Sequence, residues 1–174
     1  MFVLITGGSG SGKSEYAENQ AVMLSKKEDL PLYYIATMKP FGEEGKRRVE
    51  RHRRLRSGKG FFTVEHYVNL KQLILPGEGV VLLECLSNLT ANEMFEPEGA
   101  GEHTPEEIMD GIRQIRSSSR HLIVVTNDIF SDGITYDKTT EQYQRYLGRV
   151  NRELAREADE VMEVVCGIPL QLKK

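Results

Sequence analysis

Apolar residues along this chain come in short dense runs, and the stretches between them repeat with helical spacing. "FVLIT" (2–6), "LYYIAT" (32–37), "FFTVE" (61–65), "GVVLLECL" (79–86) and "HLIVVTND" (121–128) read as strands, most of them apolar on both faces. Between them, residues 13–26 predict a helix ending in Lys26-Lys27, and "EEGKRRVERHRRLR" predicts another whose acids precede its bases, as the helix dipole favours. A short helix is expected over "NLKQLIL" (69–75), and residues 88–96 continue helically. Thr104-Pro105-x-Glu107 has the spacing of a capping box, so a helix should start there. A long helix runs from about Asp137 to Ala158, and "EVMEVVCGIPLQLK" gives a final strand or a hairpin around Gly167. Strands alternating with helices predict an α/β fold, a mostly parallel sheet with helices on both faces. No repeat, low-complexity segment or linker divides the chain, so residues 1–174 are expected to form a single domain.

Composition narrows the class. With 174 residues, 39% hydrophobic and 28% charged, the sequence is that of a globular domain with a real core. A net charge of −3 speaks against a nucleic-acid binder, although the basic residues cluster near position 50. No apolar run reaches the roughly 18 residues of a membrane span, and "MFVLITGG" reads as a strand, not as a signal peptide. Cys85 and Cys166 both lie in apolar runs. They are expected to be buried free thiols of a cytoplasmic protein.

The first loop carries chemistry. Gly7 is followed, after four residues, by Gly12-Lys13-Ser14, between a strand and a helix. That is the P-loop pattern in its required context. Its glycines allow successive backbone N–H groups to turn toward a polyphosphate, and the helix N-terminus adds positive charge. Lys13 would reach the β- and γ-phosphates, and Ser14 would offer its hydroxyl to Mg²⁺. A second metal-side group is expected at the end of an apolar strand: Glu84 after "VVLL" fits better than Asp128 after "LIVVTN".

The basic segment 46–56 has two aliphatic residues, Val49 and Leu55, and His52 lies three residues from each, so the three share one helical stripe. Arg48 and Arg56 border it. Three readings fit: a solvated charged face with an inward histidine, an RNA-contacting helix, or a histidine working beside a nucleotide. In the last case a neutral imidazole would attack the α-phosphorus of a nucleoside triphosphate and release pyrophosphate. Neighbouring arginines would stabilise the charge on the equatorial oxygens. His66, His103 and His121 are weaker candidates, at a strand end, in a polar loop and at a strand start.

Taken in order, "LITGGSGSGKSEYAE", "YYIAT", "RVERHR", "VVLLECLSNLTAN", "VVTND" and "GRVNRELAREADEVMEVVCGIPLQLK" resemble the bifunctional adenosylcobinamide kinase / adenosylcobinamide-phosphate guanylyltransferases over the whole chain. The resemblance implies a RecA-like P-loop NTPase fold, a homotrimer, and a two-step enzyme of cobalamin biosynthesis. ATP or GTP would phosphorylate adenosylcobinamide. GTP would then pass its GMP unit through a guanylyl-histidine to adenosylcobinamide phosphate. His52 matches the family histidine, and the nucleotide-contacting segments match Gly7, Gly8, Ser9, Gly10, Ser11, Gly12, Lys13 and Ser14. They further match Ile35, Ala36 and Thr37, then Arg51, Arg53 and Arg54, then Glu65 and Glu84. The chain departs from the family pattern at "NDIFSDGITYD" (127–137) and at "YQR" (143–145), where the resemblance implies the approach of a corrinoid acceptor or of a nucleotide base. The runner-up is a P-loop small-molecule kinase without guanylyltransferase activity.

Overall fold

The computed structural model describes residues 1–129 and 136–174, so most of the departing 127–137 segment lies outside the described residues. Strands β1 (Phe2–Thr6), β2 (Leu32–Ala36), β3 (Phe62–Glu65), β4 (Val80–Glu84), β5 (His121–Val125), β6 (Glu160–Val165) and β7 (Ile168–Lys173) form one sheet in the order β3-β2-β4-β5-β1-β6-β7. All neighbours pair in parallel except β6 and β7, the antiparallel hairpin at one edge.

Side-chain alternation along the strands makes two cores. Phe2 and Leu4 of β1, Val81 and Leu83 of β4, and Leu122 and Val124 of β5 face helices α3 (Leu86–Phe95), α4 (Thr104–Ser118) and α5 (Lys138–Glu157). Their neighbours Val3, Ile5, Leu82 and Ile123 face α1 (Lys13–Glu28), which contributes Ala17, Ala21 and Leu24. A strand buried on both faces has no polar alternation to show, which is why these segments read as continuous apolar runs. Helix α5 is held by Leu147, Val150 and Leu154, a stripe with helical period. Its N-cap Asp137 accepts the backbone N–H groups of Thr139 at 2.9 Å and Thr140 at 3.1 Å.

Three expectations change in detail. The segment 69–75 makes one 3₁₀ turn, Leu70–Gln72, since it docks Leu70 into the core and Leu73 already returns to extended backbone. Thr104 is the first residue of α4, and its hydroxyl donates to the Gly101 carbonyl at 2.7 Å. No capping box forms, because Glu107 is drawn into an ion pair with Lys71 at 2.8 Å. Cys166 is exposed, unlike buried Cys85. It occupies the tight β6–β7 turn with φ 51°, where the chain has no second layer above it.

The order of the strands positions the site. β5 lies between β1, which feeds the P-loop, and β4, which ends in Glu84. The carboxyl ends of β1, β2, β4 and β5 therefore open on one edge, where the connections diverge and a ligand crevice forms.

Candidate active site

The loop after β1 is built by backbone conformations that side chains oppose. Gly12 has φ 90°, and a Cβ there would stand 3.2 Å from Gly167 Cα. A Cβ on Gly7 would stand 2.6 Å from the Val164 carbonyl oxygen. Glycine is thus required at both positions by strain or by contact. The turn between β6 and β7 supports the loop from below, its Gly167 N–H donating to Ser11 O at 2.8 Å.

Lys13 opens α1 and folds over this loop, its Nζ donating to Gly8 O at 3.0 Å. It is 7% exposed. Burial pulls its pKa below the ordinary lysine value, while the neighbouring Cys85 and Glu84 oppose that shift. A mostly buried cation beside glycine N–H groups has one natural counterpart, an anion in the loop. Ser11 Oγ is also buried there without a hydrogen-bond partner.

Ser14 donates its hydroxyl to Glu84 Oε1, and Tyr34 donates to Oε2 of the same carboxylate at 3.0 Å. Burial is the first cause, and Glu84 the second, of a strongly raised Tyr34 pKa, so the phenol keeps its proton and remains a donor. Ser14 and Glu84 present hard oxygen atoms in contact at the start of the P-loop helix. That donor set fits Mg²⁺, which typically takes one or two carboxylates and completes its shell with water and phosphate. Asp128, the competing acid, has its backbone N–H bonded to Gly7 O at 3.1 Å. It lies outside the lining of the cleft.

The cleft has a volume of about 570 Å³. It is lined by Ser9 to Ser14, by Ala36 and Glu84 at strand ends, and by Arg51, His52 and Arg53 of α2 (Gly42–Arg56). The fold thus brings the half-buried His52 ring and the phosphate cradle to one cavity. Val49, the stripe partner of His52, lines it too. Arg53 pairs with Glu65, which also accepts the Tyr67 hydroxyl at 2.9 Å. These two partners, Tyr67 first, hold the Glu65 carboxyl below the usual range.

Other expected residues stand elsewhere. Ile35 is fully buried in the core, and Arg54 turns along the helix to Glu50 at 3.2 Å. Thr37 is fully buried, its hydroxyl donating to Cys85 O and accepting Cys85 N–H, both at 2.8 Å. It fixes the end of β2 against the end of β4. Asn92 adds to this brace by donating to Thr37 O at 2.8 Å and Tyr67 O at 3.0 Å.

Sequence reasoning missed Tyr34 and Asn127, which line the cleft, and it placed Arg56, a third lining residue, only beside the His52 stripe. Tyr34 reads as one more aromatic of an apolar strand. Arg56 reads as a neighbour of His52, yet its guanidinium turns to Tyr34 and lies 3.6 Å from the centroid of that ring. Asn127 donates to Ser87 Oγ at 2.6 Å at the end of the central strand β5. Only the strand order reveals that this end lies between Lys13 and Glu84. Cys85 also reaches the cleft, but burial raises its thiol pKa, which disfavours a thiolate nucleophile.

A parallel sheet with a phosphate cradle after β1, an acid at the end of β4 and β5 between them defines a P-loop nucleotide-binding enzyme of the RecA-like class. The solved structure of the flagellar accessory protein FlaH from Methanocaldococcus jannaschii shares this fold, with a TM-score of 0.51 and 14% identity over 99% of this chain and 77% of that one. The family described as cobinamide kinase / cobinamide phosphate guanyltransferase matches residues 3–172. The bifunctional adenosylcobalamin biosynthesis protein CobU of Escherichia coli (strain K12) is 32% identical, the match covering 99% of this chain and 100% of that protein. Its counterpart in Salmonella typhimurium is 30% identical with the same coverage. The chain belongs to the cobinamide kinase / cobinamide phosphate guanyltransferase family.

Proposed function

We propose that the protein carries out both family reactions at the one cleft, as a single nucleotide-binding domain. In the first, the aminopropanol hydroxyl oxygen of adenosylcobinamide attacks the γ-phosphorus of ATP or GTP. The bond from that phosphorus to the β–γ bridging oxygen breaks, the nucleoside diphosphate leaves, and the hydroxyl proton passes to solvent. In the second, a His52 ring nitrogen attacks the α-phosphorus of GTP, the α–β bridging bond breaks, and pyrophosphate departs. A phosphate oxygen of adenosylcobinamide phosphate then displaces the imidazole, giving adenosylcobinamide-GDP and free His52. The observation that carries this reading is the shared lining: His52 and the Lys13–Ser14 end of the P-loop face one cavity.

Lys13 binds the bridging and terminal phosphate oxygens, and the loop N–H groups of Gly8 to Gly12 orient the chain of phosphates. Ser14 and Glu84 would hold Mg²⁺, which when bound neutralises charge on the phosphates and the departing group. Arg51 and Arg53 face the α-phosphate from α2, with Glu65 ready to exchange Arg53 for the nucleotide. Loose phosphoryl transition states ask for positioning more than for proton removal, which suits a cleft with no obvious general base among the described residues. The kinase-only alternative is weaker, because the matching family is named for both reactions.

We further propose a homotrimer in the cytoplasm. The β7 edge exposes Ile168, Leu170 and Leu172 on one face, an apolar row that a neighbouring subunit would cover. Among the described residues no helix is long and apolar enough to cross a membrane, and both cysteines are free thiols.

The test is incubation with α-labelled and γ-labelled GTP, followed by mass mapping. The expected adduct is acid-labile, alkali-stable, and confined to His52. His52→Asn should abolish it and leave γ-phosphoryl transfer to adenosylcobinamide in place; a label that persists in that variant rules out His52 as the carrier.

A further inference from the structure

Among its described residues, α2 is tied to the rest of the chain by hydrogen bonds and ring contacts from its last turn. Arg53 reaches Glu65 and Arg56 reaches Tyr34, whereas the pairs Lys46–Glu43 and Arg54–Glu50 stay inside the helix. Arg56 is 7% exposed, in a helix whose other described residues are exposed or half-buried. Its Nε is buried without a hydrogen-bond partner. Burying a guanidinium with a bond unmade costs stability, and the desolvated ring face offsets part of that cost. An arginine that merely decorated a basic helix would stay in water.

What Arg56 rests on explains the burial. Tyr34 is the residue whose hydroxyl holds Glu84, and Glu84 in turn receives Ser14. Phe61 packs edge-on against the same ring, with centroids 5.7 Å apart and planes at 82°. Just beyond α2, Lys59 pairs with the buried Glu18 of α1. The last turn of α2 is therefore seated on the group that organises the metal-side carboxylate. His52 lies one turn before Arg56, on the same side of the helix.

We infer that Arg56 is a positioning residue for guanylyl transfer: seated on Tyr34, it sets the roll of α2 so that His52 faces the Ser14–Glu84 end of the cleft. This rests on His52 being the guanylyl carrier. In this role Arg56 touches no reacting atom and acts through the helix. Phosphoryl transfer from the γ-position draws on the P-loop and not on the roll of α2, so the two activities should separate.

The experiment compares the wild type with Arg56→Gln in three measurements. They are the single-turnover rate of His52 labelling from α-labelled GTP, phosphoryl transfer from γ-labelled GTP to adenosylcobinamide, and GTP affinity with thermal melting. Labelling should fall about tenfold or more, the scale of a small misplacement of a reacting group. Phosphoryl transfer and affinity should fall less, so that the ratio of labelling to phosphoryl transfer drops by about threefold or more. Arg56→Lys keeps a cation for the ring and should recover part of the labelling rate; it also carries the test if Arg56→Gln fails to fold. Tyr34→Phe keeps the seat and should preserve the ratio of the two rates. Tyr34→Leu removes it and should lower the ratio, with no further loss in the double variant. Parallel loss of both activities and of affinity in Arg56→Gln would overturn the inference, as would an unchanged labelling rate. A wild type that forms no adduct at all would defeat the functional reading and this inference together.

Discussion

Lys13 is held where a cation is least stable, folded onto Gly8 O and mostly out of solvent. Its lowered pKa means that the unfolded chain binds this proton more tightly than the folded one. Lys13→Met should therefore abolish triphosphate binding and raise the melting temperature, by about 2–4 °C for each kcal/mol of desolvation relieved. Because the folded pKa is depressed, wild-type stability climbs with pH as the solution passes from the folded pKa to the ordinary value of 10.5. The gap between variant and wild type should close over that alkaline window, and a constant gap in melting scans would refute the account. Glu84→Gln retains an acceptor for Ser14 and Tyr34 but removes the negative charge. The Mg²⁺ concentration needed for half-maximal activity should rise by about tenfold, and an unchanged titration would assign the role elsewhere. Lys13, Ser14 and His52 were legible because each belongs to a motif with fixed spacing. The role of Tyr34 was not, nor its contact with Arg56, since a phenol bonding to a carboxylate 50 positions away leaves no local pattern.

At the scale of elements, boundaries follow caps more closely than they follow apolar runs. The run "GVVLLECL" reads as one strand, yet β4 stops at Glu84 and α3 begins at Leu86. Hydropathy does not change at that junction; the backbone does, as Thr37 takes up both polar groups of Cys85. The start of α5 depends instead on Asp137, whose carboxylate its own cap hydrogen bonds hold below the usual range. Asp137→Ala should lower the midpoint of urea unfolding, with the loss confined to pH above the carboxyl's titration. Position in sequence located that cap well. It failed at Thr104, where the capping-box spacing is present but Glu107 has a stronger partner in Lys71.

For the whole molecule, an alternation of strands and helices was enough to give a parallel sheet with two covered faces. The order of the strands was not legible, because any permutation with the same runs satisfies the same hydropathy. Yet that order decides the site: β5 separates the cradle from Glu84 and brings Asn127 between them. The β7 edge makes a further prediction. Leu170→Glu, on the exposed apolar row, should reduce a trimer to monomers in light scattering, and a monomeric wild type would dismiss that quaternary proposal.

The Gly167 N–H to Ser11 O bond and the close approach of Gly12 to Gly167 join the last strand pair to the first loop. The loop after the first strand is thus founded on a distant hairpin: a turn far along the chain shapes the proposed nucleotide grip. Until the hairpin closes, a nascent chain holds a phosphate loop without its footing. Trimming the protein after Val165, far from any phosphate in sequence, should cost it GTP.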